Sequence, residues 1–139
     1  MKFHSVRVQP SKEVFLKHRH LAWKIAEVSA DPTPIDSDVR EMVINRIIDN
    51  AGVALAAINR LPVVNARSQA LAHPRPTGAS LFGLSPEQLF DAEWASWANG
   101  TAVRELDFHD TYLGLDFGHP GDSIPTVLAA AQQCRRDGL

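Results

Sequence analysis

The stretch from Asp36 to Ile58 constrains the fold more than any other part of the chain. Its sequence, DSDVREMVINRIIDNAGVALAAI, repeats apolar residues at three- and four-residue steps, the spacing of one helix face. That face comprises Val39, Val43, Ile47, Ala51, Ala54 and Ile58. Almost every residue after Gly52 is apolar, and glycine lowers helix propensity, so we expect close packing there. The pattern predicts a long helix, buried on most sides at its C-terminal end.

Two shorter helices are predicted on either side of this one. A polar cap at Ser11 opens an amphipathic segment that ends at the two prolines of residues 31–34. A second segment follows Pro62 and covers residues 63–72. Residues 73–83, HPRPTGASLFG, then interrupt the helical pattern and can supply a short extended piece.

Two further helices are predicted in the C-terminal half. Ser85 can cap the first of them, with Pro86 at the first helical position and Gln88 completing a capping box. This helix leads directly into Asp107, and its alanines at 95, 98 and 102 form a thin stripe that can pack closely. The last helix starts after Asp122 or Ser123 and is terminated by Gly138.

The whole pattern predicts an all-α fold in which residues 1–139 form a single unit, about five helices with one polar loop. A formal net charge of −2 gives no sign of nucleic-acid binding, and the N-terminus lacks the apolar core of a signal peptide. The single cysteine, Cys134, excludes an internal disulfide and an all-cysteine iron–sulfur cluster built from this chain. We therefore expect a soluble, cytoplasmic protein without membrane or nucleic-acid partners.

The polar loop is the candidate functional site. Residues 107–125, DFHDTYLGLDFGHPGDSIP, contain four aspartates and two histidines but no lysine or arginine. Asp107 ends a helix that is predicted to be buried, where a carboxylate is unfavourable unless it is paired or used. His119 lies in a Gly-His-Pro-Gly segment whose backbone can hold the imidazole in one direction, and histidine suits proton transfer near neutral pH. The Thr111 hydroxyl can orient a substrate carboxylate or hydroxyl.

Structural explanations compete for the other loop residues. Asp122 is better explained as a helix cap, and His109 and Asp116 as solvated loop residues. Tyr112 and Phe117 are expected to pack and seat the loop. A metal site at His109, Asp110 and His119 is the less favoured alternative, because the remaining histidines have no companion acid at helical spacing.

The loop also carries a family resemblance. LDFHDTYLGLDFGHPGDSI is similar to the signature of the MmgE/PrpD family, and most closely to its 2-methylcitrate dehydratase branch, L-D-F-x-D-T-[WY]-L followed by G-H-P-[SG]-D. Other branches have a shorter stretch between the threonine and the histidine. The segments INRIIDNAGVALAA and EWASWANGTAVRELDF resemble the family's long buried helix and the helix that leads into its site.

The resemblance implies a hydro-lyase that needs no cofactor and no metal and converts 2-methylcitrate to 2-methyl-cis-aconitate in propionate catabolism by the methylcitrate cycle. It implies that His119, Asp107 and Thr111 are catalytic, with His119 transferring the proton. Asp110 is expected to orient its neighbours at the substrate, and Arg104 to bind substrate charge. The implied partners are a small tricarboxylate substrate and, in the full-length protein, a second copy of the chain.

The family's chains are several times longer, so the resemblance also predicts that residues 1–139 are the incomplete N-terminal portion of its helical domain, without the lid domain. Such a fragment is expected to be inactive alone, since a tri-anionic substrate with few local cations binds poorly. Two alternatives remain open at this point. One is a related reaction such as cis-aconitate decarboxylation, and the other is a non-catalytic helical module for dimerisation or partner binding.

Overall fold

The computed structural model describes residues 4–6 and 9–138, and the chain divides into two compact units, Met1–Ser37 and Asp38–Leu139. The first unit contains a short 3-10 helix, Lys17–Arg19, and the helix α1, Leu21–Ser29. The helix predicted from Ser11 therefore begins later than expected. The backbone N–H of Glu13 bonds the carbonyl of Pro10, which makes a turn at the position of the predicted cap.

The described residues of the second unit form four helices, the first of which begins at the unit boundary, and two small sheets. In chain order its elements are α2 Ser37–Ala56, α3 Leu61–Leu71, β1 Pro74–Ser80, β2 Leu89–Phe90, α4 Ala92–Arg104, β3 Tyr112–Leu113, β4 Phe117–Gly118, a 3-10 turn Pro120–Asp122, and α5 Ile124–Asp137. Strand β1 pairs with β2, and β3 pairs with β4, both antiparallel. The prediction of an all-α fold is wrong, since this is a mixed α/β fold.

The short extended piece expected within residues 73–83 is confirmed as strand β1, whose two prolines interrupt the helical pattern. Proline is tolerated in an edge strand, where one side of the backbone needs no strand partner. Gly78 allows the close approach of the two strands, because a Cβ atom at this position would lie 1.9 Å from the carbonyl oxygen of Phe90. Side chains of α5 cover the rest of the edge: Gln132 accepts from the N–H of Ser80, and Arg136 donates to the carbonyl of Gly78.

The start of α4 also differs from the prediction. The N–H of Gln88 bonds the carbonyl of Ser85, so the Ser-Pro pair makes a turn that leads into β2 rather than a helix cap. The N-cap of α4 is Asp91, whose carboxylate accepts from the N–H of Glu93. Ser-Pro suits both a turn and a helix start, and the pairing of β2 with β1 decides between them.

The core lies between β1 and the helices α3, α4 and α5. The predicted alanine stripe of α4 is confirmed, because Ala95, Ala98 and Ala102 are buried. Asn99, also buried, accepts from the N–H of Phe82 and donates to the carbonyl of Ser80, which ties α4 to the end of β1. Gly138 ends α5 in the left-handed conformation, as predicted.

Helix α2 is confirmed, and its predicted apolar face is buried only in part. Ala54 of that face is buried, together with Asn50 and Val53 outside it, whereas Val39 and Val43 are exposed. A Cβ atom at Gly52 would meet nothing within 4 Å, so the expected close packing at this glycine is absent from the described residues. In the described part of the chain no single helix is long and apolar enough to cross a membrane; α2 and α3 pass that test of length and composition only as a pair bent by 107°.

Candidate functional site

The stretch between Thr111 and His119 is a β-hairpin. Tyr112 pairs with Gly118 and Leu113 with Phe117, so the residues just before and just after the hairpin lie side by side. The Thr111 hydroxyl oxygen is 3.4 Å from Nδ1 of His119. The hairpin therefore brings together two predicted site residues that are eight positions apart.

The backbone of Asp110 determines which nitrogen of His119 carries the proton. Nδ1 of His119 lies 3.0 Å from the carbonyl oxygen of Asp110. Because a carbonyl can only accept, Nδ1 must donate in this bond, and Nε2 of the neutral imidazole then holds the lone pair. This is the state required of a general base that acts through Nε2.

The side chain of Asp110 is buried and fully engaged. One carboxylate oxygen lies 3.1 Å from Nη1 of Arg46, and the other accepts from the N–H of Gly121 at 2.8 Å. Its side chain is 1% exposed, so these partners take the place of water. The geometry supports the expectation that Asp110 orients its neighbours, whereas direct contact of its carboxylate with substrate stays a prediction.

His109 lies inside the site, and the prediction that it is a solvated loop residue is wrong. Its side chain is 1% exposed, and its ring centre is 4.5 Å from that of His119. Nε2 of His109 is 3.5 Å from a carboxylate oxygen of Asp122, and Nη1 of Arg104 is within 3.3 Å of both ring nitrogens. The two imidazoles are thus neighbours with different partners: a carboxylate and a guanidinium for His109, a carbonyl and a hydroxyl for His119.

Arg104, the last residue of α4, is shared between acidic groups of the loop. It forms an ion pair with Asp107, and its Nε is 3.8 Å from Asp122. Half of its side chain is exposed, so it borders both the buried His109 and solvent. A cation at a helix C-terminus is also stabilised by the helix dipole.

Asp107 follows α4 in an unusual backbone conformation. Its φ angle is +50°, in the left-handed region that non-glycine residues rarely adopt, although aspartate is among those that do so most readily. Its side chain is exposed and paired with Arg104, so the carboxylate ends the helix without being buried. The conformation turns the chain out of α4 and into the site.

The predictions for the remaining loop residues are only partly confirmed. Ser123, not Asp122, is the N-cap of α5, and no side chain bonds its first turn. Tyr112 and Phe117 are exposed rather than packed, although the ring of Phe117 meets that of His119 edge to face. Asp116 is exposed, as predicted, and accepts from the N–H of Phe117.

The metal alternative gains no geometric support. Within residues 4–6 and 9–138, no three histidine, cysteine, aspartate or glutamate side chains converge in a way that could hold a metal ion. The carboxylate of Asp110, a required ligand in that alternative, is bound by Arg46 and Gly121 instead.

Two site residues on α2 were not identified from sequence. Neither Arg46 nor Asn50 has a role in the predictions from sequence. Asn50 is completely buried beside the loop, and its Nδ2 donates to the carbonyl of Arg46. A usable signal existed, because both residues share a helical stripe with the apolar Val53 and Ala57.

Comparisons with known proteins agree with the signature in this loop. The family model for the MmgE/PrpD N-terminal domain matches residues 19–139. The chain is 34% identical over 61 residues to a probable 2-methylcitrate dehydratase of Saccharomyces cerevisiae, which covers 44% of this chain and 11% of that protein. It is 34% identical over 64 residues to the 2-methylcitrate dehydratase of Salmonella typhimurium, covering 46% of this chain and 13% of that one.

A further similarity, to the 2-methylcitrate dehydratase of Escherichia coli, is 36% over 58 residues and covers 42% of this chain and 11% of the relative. The matched segments thus span only about an eighth of the length of these relatives. No solved structure matches the chain.

Proposed function

Because the chain belongs to the MmgE/PrpD family, we propose that it carries the proton-transfer site of a 2-methylcitrate dehydratase. The observation that carries this proposal is the imidazole of His119. Its Nδ1 is bound to the carbonyl of Asp110, and its Nε2 is therefore the basic nitrogen, in a loop with the family's signature. The reaction is taken from the relatives, which are named as 2-methylcitrate dehydratases.

In the proposed reaction His119 acts as the general base. Nε2 takes a proton from the carbon beside a carboxylate, and the electrons of that C–H bond form the carbon–carbon double bond. The neighbouring C–O bond breaks, and the hydroxyl takes a proton from a general acid and leaves as water. Thr111, at the edge of the imidazole, and Asp107, exposed at the mouth of the loop, are proposed to contact the substrate.

The charges around the site indicate that further cations take part. Asp107, Asp110 and Asp122 outnumber the two guanidinium groups of Arg46 and Arg104, and each arginine is already paired with a carboxylate. A tricarboxylate is repelled by such an arrangement unless other cations neutralise it. We therefore propose that turnover requires basic residues in addition to those described around His119, and that residues 1–139 alone have little activity.

The test is an activity assay of the protein as its gene encodes it. Dehydration of 2-methylcitrate is followed by the ultraviolet absorbance of the new double bond and by mass spectrometry. We expect His119→Gln to lower kcat by at least about 100-fold, the usual contribution of a general base. His18→Gln, at an exposed histidine of the first unit, is the matched control and should leave kcat unchanged. Unchanged turnover in His119→Gln would contradict the assigned role.

The choice of substrate is tested in the same assay. Carbon dioxide released from cis-aconitate, without dehydration of 2-methylcitrate, would assign a decarboxylase of the same family instead. Dehydration of 2-methylcitrate without carbon dioxide supports the proposal.

A further inference from the structure

We infer that Arg46 is a positioning residue for His119 and that it acts through Asp110. Arg46 binds the carboxylate of Asp110, and the carbonyl of the same residue fixes the tautomer of His119. This inference rests on the proposed function only for its effect on catalysis. The tautomer itself can be measured in the protein without substrate.

Asp110 connects the helix to the imidazole because it makes three polar contacts at once. Its carboxylate contacts Arg46 at 3.1 Å and the N–H of Gly121 at 2.8 Å, and its carbonyl contacts His119 at 3.0 Å. The two side-chain contacts fix the position of Asp110, and its backbone carbonyl is then directed at Nδ1 of His119. A shift of the Asp110 side chain therefore moves the group that holds Nδ1.

Arg46 is the cation that allows this carboxylate to remain buried. The Asp110 side chain is 1% exposed, and a buried carboxylate without a cationic partner is strongly unfavourable. Without Arg46, the buried carboxylate has no cationic partner, and we expect it to turn towards solvent. The bond to Gly121 and the position of the Asp110 carbonyl are then no longer secured.

Arg46 lies on an element separate from the loop. It is 64 residues before Asp110, in the interior of a 20-residue helix, so the hydrogen bonds of α2 and not those of the loop hold its backbone. One turn later, Asn50 packs against the loop backbone: a Cβ atom at Gly121 would lie 2.4 Å from its Oδ1. Helix α2 therefore holds the loop at two points, by charge at Asp110 and by close packing at Gly121.

The experiment measures the His119 tautomer in protein labelled with ¹⁵N-histidine. Long-range proton–nitrogen spectra distinguish Nδ1–H from Nε2–H, and the His119 signals are assigned by their loss in His119→Gln. We expect Nδ1–H in the unaltered protein and a mixture with Nε2–H in Arg46→Met. Arg40→Met, at an exposed arginine of the same helix, should leave the His119 signals unchanged. Retention of the Nδ1–H tautomer in folded Arg46→Met would overturn the inference.

A double-mutant cycle tests whether Arg46 acts through Asp110. It also keeps the inference testable if the single variant Arg46→Met folds poorly. Asp110→Asn keeps an oxygen that can accept from Gly121 but removes the buried charge. In that background Arg46→Met should fold and should change the His119 tautomer fraction and kcat by less than about twofold. An effect as large as in the native background would overturn the pathway through Asp110.

The kinetic expectation is a loss in kcat rather than in binding. Groups that orient a reactive side chain through one intermediate typically contribute about 10- to 100-fold, and we expect a loss of kcat in this range for Arg46→Met with KM changed less than about threefold. Arg46→Lys, which keeps the charge but not the planar fork, should recover part of the loss. If no variant, including the unaltered protein, dehydrates 2-methylcitrate, the proposed function fails, while the tautomer spectra still decide the role of Arg46.

Discussion

The hydroxyl of Thr111 lies 3.4 Å from Nδ1 of His119 because a short hairpin closes the seven-residue stretch between them. The hairpin turns at Gly114, whose N–H donates to the carbonyl of Asp116. The signature therefore describes a spatial pair rather than a linear one. Two paired strands within this stretch, Tyr112–Leu113 and Phe117–Gly118, bring the threonine and the histidine together.

We expect Thr111→Val to lower kcat/KM by about three- to tenfold, the rate equivalent of one neutral hydrogen bond. The variant keeps the shape of the side chain and removes only the hydroxyl beside His119. Thr111→Ser is the matched control, since it keeps the hydroxyl and should retain most of the activity. A full loss in Thr111→Ser would indicate that the methyl group, not the hydroxyl, is the important feature.

Two substitutions separate the backbone role of Asp107 from the role of its carboxylate. Asp107→Gly should remove the energetic cost of the positive φ angle, and Asp107→Asn should leave that cost nearly unchanged. Glycine and asparagine both adopt the left-handed region readily. Both variants should therefore fold, as judged by thermal unfolding. Both should lose about tenfold or more in kcat/KM if the carboxylate contacts substrate. Normal activity in both would make Asp107 a turn residue only.

Gly121→Ala should destabilise the site selectively. The added Cβ would lie 2.4 Å from Oδ1 of Asn50 and 3.0 Å from Oδ1 of Asp110, so helix α2 and the loop must move apart. We expect a loss of about 1–3 kcal/mol in the free energy of unfolding, the usual range for overpacking a tight interior. Chemical denaturation measures it. Gly118→Ala, where a Cβ atom would meet nothing within 4 Å, is the control and should be close to neutral.

The contacts of Asp137 at the C-terminal end of α5 should stabilise the fold at neutral pH but not at strongly acidic pH. A hydrogen bond from the Thr77 hydroxyl and the nearby Arg75 guanidinium lower the pKa of Asp137 below its usual value of 3.8. A carboxyl group whose pKa is lower in the folded state adds stability above its unfolded pKa, and this stability disappears as the pH falls through the folded pKa. Asp137→Asn should therefore lower the Tm near pH 7 and leave it unchanged well below the folded pKa.

The effect of these contacts on the pKa of Asp137 can be measured directly by an NMR titration. Thr77→Val removes the largest contribution and should raise the pKa of Asp137 towards its usual value. The charge of Asp137 opposes the dipole at the end of α5, so its net benefit depends on these partners. A Tm difference between the native protein and Asp137→Asn that is the same at all pH values would contradict the assignment.

Short-range signals in the sequence were sufficient for several elements. The periodicity of residues 36–58 predicted α2, Pro62 lies in the first turn of α3, and Gly138 ended α5, because each of these signals lies within a few residues of the element it specifies. The loop with His119 and Thr111 was likewise found from its composition and signature. The sequence by itself therefore determined most of the helices, the family and the segment that holds the candidate site.

Tertiary contacts decided the rest. Ser85 and Pro86 suit both a helix start and a turn, and only the pairing of β2 with β1 selected the turn. Two-residue strands such as β3 and β4 are too short for a periodic pattern, and they form because the chain folds back on itself. The loop has no cation of its own, and the one that neutralises Asp110 is Arg46, 64 residues earlier. Such a partner cannot be read from local sequence, because only the packing of α2 against the loop brings the two charges together.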